Sequence, residues 1–180
     1  MSAWNLPNML SLSRVFLVPV VMVFLTLRTQ FGSIGGANVG DVLAGIIFIL
    51  ASITDAADGY IARKKKLVTN LGKFIDPLAD KIMVVAVLVA LVDLHRIPAW
   101  MVVVIISREF IVTGLRMIAA SEGIVIAASK GGKLKTVSQI IGIVLLIFNI
   151  PGAIAVMWAA MFLTIWSGAD YLIKGVDLLD

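Results

Sequence analysis

Four aspartates stand in the stretch TDAADGYIARKKKLVTNLGKFIDPLAD, residues 54–80, of a chain otherwise dominated by apolar side chains. A carboxylate near the centre of a bilayer costs roughly 2.5–3.5 kcal/mol on insertion scales, so such groups persist there only with a partner. Asp55 and Asp58 are three residues apart and Asp76 and Asp80 four apart, spacings that put each pair on one face of a helix. Two consecutive antiparallel helices joined by a short basic loop would bring the pairs face to face, where four carboxylates repel one another. Two divalent cations would neutralise them. A donor set made only of carboxylate oxygens favours hard ions, Mg2+ or Mn2+, and two such ions between opposed acidic pairs form a clamp for phosphoryl oxygens.

The neighbouring residues extend this reading. Gly59 follows Asp58 directly, and Gly72 precedes Asp76 by four residues. Glycine within a helix costs about 1 kcal/mol relative to alanine, and in return it leaves room for another group to approach the backbone. Arg63, one turn beyond Gly59, offers a fork of N–H donors that suits a phosphate. Carboxylates for metal, glycines for access and arginine for phosphate together point to a diphosphate substrate.

The elements that must position these groups follow from composition. Of 180 residues, 61% are hydrophobic and none is cysteine, which excludes disulfides and thiolate metal sites. The opening MSAWNLPNML has no positive charge ahead of its apolar run, so no cleaved signal is expected. Each membrane crossing needs about 20 mostly apolar residues. Six such stretches run over 12–28, 40–62, 70–92, 98–119, 134–150 and 152–173. Their length and continuity predict helices rather than strands. The expected architecture is an all-α, polytopic membrane protein with six transmembrane helices, forming a single domain over 1–180. Trp4, Leu6, Met9 and Leu10 are expected in a short N-terminal interfacial segment before the first span.

Charge gives the orientation. Arg63, Lys64, Lys65, Lys66 and Lys73 surround the second turn, and Lys130, Lys133 and Lys135 precede the fifth stretch. The alternate connections hold Arg28, Arg96 and, in NIPG, no charge at all. The lysine-rich side is therefore cytoplasmic, and an even number of spans places both termini and the acidic site there. A formal net charge of +4 clustered on one side suits a face near anionic lipid; nothing else in the chain supports nucleic-acid binding.

Asp55-x-x-Asp58-Gly59-x-x-Ala62-Arg63, eight further residues, then Gly72-x-x-x-Asp76-x-x-x-Asp80 resembles the signature of the CDP-alcohol phosphatidyltransferases. Eight positions at the family spacing lie within 26 residues, and six spans fit the family fold. The resemblance implies transfer of a phosphatidyl group from CDP-diacylglycerol, or a related CDP-linked donor, to an alcohol, with release of CMP. It implies that Asp55, Asp58 and Asp76 ligate metal, and that Asp80 ligates the second metal and acts as general base. Gly59, Arg63, Thr69 and Gly72 would line the CDP site. The opening NLPNMLSLSR is similar to the motif of one branch, in which Asn8 and Ser11 would approach the nucleotide. Serine stands there where threonine is commoner. A homodimer in a bacterial cell membrane is also implied.

A second set of residues bears on the acceptor. SREFIVTGLR places Arg108 and Arg116 eight residues apart along the fourth stretch, and GGKLKT adds Lys133 and Lys135. An unpaired guanidinium so deep in an apolar segment would be expensive. Four cations on one cavity would suit an acceptor that itself carries a phosphate. The same phrases resemble the branch whose acceptor is sn-glycerol 3-phosphate; inositol phosphate and serine are the alternatives within the family. Plainer roles stand beside these. The aspartates would then pair with Arg63, Lys73 and Lys81, and Arg108 with Glu109, although adjacent helical residues point apart. Lys133 and Lys135 would only mark the cytoplasmic side. Asp170 and Tyr171 would make either a polar contact or the branch's closing pattern. A small proton or cation transporter also uses intramembrane carboxylates, but gives no reason for the glycine spacing or Arg63.

Overall fold

The computed structural model describes residues 6–64, 70–123 and 130–176, with the side chains of 9, 12–55, 78–79, 81–123 and 131–173. Among the described residues the chain forms six α-helices: α1 (Leu6–Thr26), α2 (Val39–Lys64), α3 (Asn70–Asp93), α4 (Ala99–Ser121), α5 (Lys130–Ile147) and α6 (Ala153–Val176). They fall on the six apolar stretches, with the largest shifts at the starts of α1 and α5. Helix α1 runs unbroken from Leu6, so Leu6, Met9 and Leu10 lie in its first turns. Pro7 falls in the first turn, where its missing N–H has no helical partner to lose. Trp4 lies outside the described residues. Helix α5 begins at Lys130, four residues ahead of its apolar run, so Lys133 and Lys135 are helical. Apolarity marks where a helix is lipid-compatible or packed, and a polar first turn escapes it.

The first connection is ordered. A 3-10 turn at Arg28–Phe31 leads into a hairpin of β1 (Ser33–Ile34) and β2 (Ala37–Asn38), with Ser33 opposite Asn38 and Ile34 opposite Ala37. Gly35 and Gly36 have φ of +60° and +83°, the pair of positive values that a two-residue hairpin turn of matching twist demands. Arg28 Nη1 donates to Asp41 Oδ2 at 3.2 Å, tying the 3-10 turn to the start of α2.

Two compact units divide the chain, Met1–Leu94 and His95–Asp180. In the first, α1 packs against both α2 and α3, and Val21, Leu25, Phe48, Val87, Leu88 and Leu91 are fully buried. In the second, α6 packs against α4 and α5, burying Met101, Ile105, Ile143, Ile147 and Met157 completely. Gly142 of α5 lies directly against Met157 of α6, which identifies the helices that this small residue lets approach. Arg96 Nη1 donates to the carbonyls of Leu146 (3.1 Å) and Ile147 (2.5 Å) at the end of α5, where a cation is favourable and the Leu146 carbonyl also accepts from the Asn149 N–H.

The 21-residue segment Ala153–Ile173 of α6 is long and apolar enough to cross a membrane, the one helix of which this holds among the described residues. At 1.5 Å per residue it spans about 31 Å, the thickness of a hydrocarbon core. Phe162, Trp166 and Ile173 stand exposed along it. Helix α1 contributes a shorter apolar run, Leu12–Thr26.

Candidate active site

The acidic residues sit on the two helices that share α1 as a packing partner. Asp55 and Asp58 lie in the last third of α2, and Asp76 and Asp80 in the second and third turns of α3. Helical backbone at all four positions preserves the spacing by which each pair occupies one face. Gly59 and Arg63 follow on α2, Gly72 begins α3, and Asn8 and Ser11 lie in the first turns of α1. The side chains of these residues other than Asp55 lie outside the described residues, as does Thr69 altogether.

Asp55 has a partner that the sequence did not suggest. Its Oδ1 accepts a hydrogen bond from Arg14 Nη1 of α1, so the counter-charge comes from the first helix. The Arg14 side chain is 4% exposed and that of Asp55 37%, so a buried cation leans on a carboxylate that still reaches solvent. A signal for this existed. Arg14 stands inside the first apolar stretch, and the argument that an arginine there needs a partner, applied to Arg108, holds equally for it. Among the described residues no three carboxylate, imidazole or thiol groups stand close enough to hold a metal ion. The donor set nevertheless fits a hard divalent cation in kind: carboxylates alone, in two pairs at helical spacing.

The second cluster lies in the unit formed by α4, α5 and α6. Glu109 Oε1 accepts from Arg108 Nη1 at 3.2 Å and from Lys135 Nζ of α5. Arg108 and Glu109 therefore do pair, against the expectation that neighbouring positions diverge. Their Cβ atoms diverge, but both chains are long enough to meet at their tips. Arg108 Nη2 donates to Ser167 Oγ of α6 at 2.9 Å, and Ser167 in turn donates to the carbonyl of Thr164 at 3.3 Å. Arg108 reaches that serine because Gly168 offers no side chain. A Cβ there would stand 2.9 Å from Arg108 Cγ and 3.1 Å from its Nε. That Nε is buried and has no acceptor among the described residues.

Arg116 joins the cluster through Tyr171. The guanidinium carbons of Arg108 and Arg116 each lie 5.8 Å from the centre of this buried ring, within reach of its negative face. Tyr171 thus makes a specific contact, which the sequence had left open. Lys135 is buried whereas Lys133 is exposed; two residues apart on a helix, they point to different sides. The structure gathers Arg108, Arg116 and Lys135 and leaves Lys133 on the outer surface of α5. Ser167 and Gly168 were not foreseen, because a serine and a glycine in an apolar helix carry no signal of what passes over them.

Comparison with known proteins follows the same lines. The family model described as CDP-alcohol phosphatidyltransferase matches residues 4–166. A Bacillus subtilis (strain 168) protein named CDP-diacylglycerol–glycerol-3-phosphate 3-phosphatidyltransferase is 47% identical over 191 residues, covering 98% of this chain and 97% of its own. A Rickettsia typhi protein of the same name is 36% identical, covering 93% and 94%. A Mycobacterium tuberculosis (strain H37Rv) protein named probable phosphatidylglycerophosphate synthase is 40% identical, covering 96% and 82%.

Proposed function

Since the chain belongs to the CDP-alcohol phosphatidyltransferase family, we propose that it transfers a phosphatidyl group from CDP-diacylglycerol to sn-glycerol 3-phosphate, giving phosphatidylglycerophosphate and CMP. The observation that carries the choice of acceptor is the convergence of Arg108, Arg116 and Lys135 in one cluster. Three cations suit an acceptor with a phosphate better than a neutral alcohol. Relatives that carry this activity in their names, similar over nearly the whole chain, support it. The family match runs across both compact units, which supports one functional domain over 1–180.

In this reading the terminal hydroxyl of the acceptor attacks the phosphorus that bears the diacylglycerol. A new P–O bond forms as the P–O bond to CMP breaks, and the hydroxyl proton passes to Asp80. Two divalent ions, Mg2+ or Mn2+, held by Asp55, Asp58, Asp76 and Asp80, would offset the diphosphate charge and the charge developing on the leaving CMP. Asn8, Ser11, Gly59, Arg63, Thr69 and Gly72 bind the CDP portion of the donor. Arg108, Arg116 and Lys135 fix the acceptor phosphate, with Lys133 as an outer attracting charge, so that positioning supplies much of the rate. We place the enzyme as a homodimer in a bacterial cell membrane, spanning it six times, with its active site and both termini cytoplasmic.

Purified protein in detergent, with no sealed compartment, tests this directly. CMP release from CDP-diacylglycerol is followed with glycerol 3-phosphate, inositol phosphate, inositol, serine or phosphatidylglycerol, with Mg2+ and Mn2+ titrated separately. Metal-dependent release with glycerol 3-phosphate is expected. Preference for an unphosphorylated alcohol would overturn the acceptor, and no release with any acceptor would overturn the transferase.

A further inference from the structure

An acidic side chain lies at the centre of the cluster that is to hold an anion. Glu109 is largely buried, as are its two cationic partners, with side-chain exposures of 18% for Glu109, 13% for Arg108 and 5% for Lys135. Its charge opposes any incoming phosphate, so a site built only for attraction would omit it. What Glu109 supplies is geometry. One carboxylate oxygen accepts from both Arg108 of α4 and Lys135 of α5, and no other described contact joins those two side chains. Without that bridge two buried cations would repel each other, and each long side chain would regain rotamers that scatter its donors. Arg108 is pinned further by Ser167 and by the space over Gly168.

We propose that Glu109 is the positioning residue of the acceptor-phosphate subsite: it bridges Arg108 and Lys135 across two helices so that both act on one phosphate. This rests on the acceptor reading given above. Glu109 touches neither substrate nor reacting atoms and acts through the two cations.

Steady-state kinetics of Glu109→Gln and Glu109→Asp test this. Glutamine keeps the shape and removes the charge; aspartate keeps the charge and shortens the reach. Glu109→Gln is expected to raise the KM for glycerol 3-phosphate by about tenfold, the scale of one lost charged hydrogen bond, and to leave the KM for CDP-diacylglycerol within about twofold. Glu109→Asp is expected to fall between Glu109→Gln and the unaltered protein. An unchanged or lowered acceptor KM, or a parallel rise in both KM values, overturns the proposal. If Glu109→Gln cannot be purified in folded form, Glu109→Asp decides by the same criteria. Absence of transfer to glycerol 3-phosphate by the unaltered protein would remove the acceptor reading itself. With the unaltered protein active, a negative result in the variants removes only the role of Glu109.

Discussion

Arg14 and Asp55 form one pair that serves stability at a position proposed to hold metal. A guanidinium 4% exposed on α1 is made tolerable in part by the carboxylate that meets it. Arg14→Met is therefore expected to destabilise the protein by about 2 kcal/mol, below the roughly 3–5 kcal/mol of a fully buried pair, because Asp55 keeps access to water. Thermal unfolding in detergent measures this, and an unchanged midpoint would show the pair to be without weight. Asp80 differs in kind, since its proposed role is proton removal. Asp80→Asn is expected to lower turnover by at least about a hundredfold, the lower range for loss of a general base, with the unfolding midpoint unmoved. Substantial residual turnover would remove Asp80 as the base.

Among the elements, α1 and α6 organise their respective units. Helix α1 packs against both acid-bearing helices, and α6 packs against both cation-bearing helices. Close approach of α5 to α6 depends on Gly142, where an added Cβ would collide with the Met157 side chain. Gly142→Val is accordingly expected to cost about 1–3 kcal/mol through overpacking, read as a lowered unfolding midpoint. Because Lys135 lies two turns before Gly142 on the same helix, a rise in the KM for glycerol 3-phosphate should accompany it. Stability equal to that of the unaltered protein would mean that Met157 yields without strain.

For the whole molecule, orientation in the membrane is the property that charge distribution controls. The chain contains no cysteine, so single replacements report their own side. Ser33→Cys, exposed in the first hairpin, is expected to react with a membrane-impermeant maleimide in intact cells, and Ser121→Cys, exposed at the end of α4, only after the membrane is opened. The opposite pattern would reverse the proposed topology. The sequence by itself determined the six helices, because long apolar runs and their breaks are local properties, and it singled out the charged positions that need a partner, because a charge in an apolar segment demands a reason. It also determined that Asp55 and Asp58 share a face, since helical periodicity needs no neighbour. The tertiary structure alone decided which partner each charge has. Arg14 meets Asp55 across 41 residues, Lys135 meets Glu109 across 26 and Arg108 meets Ser167 across 59. Helices rich in apolar residues on every side leave many pairings nearly equal in hydrophobic terms. The choice among them falls to close fits such as Gly142 on Met157 and Gly168 beneath Arg108, which depend on shape between distant segments and leave no pattern along the chain.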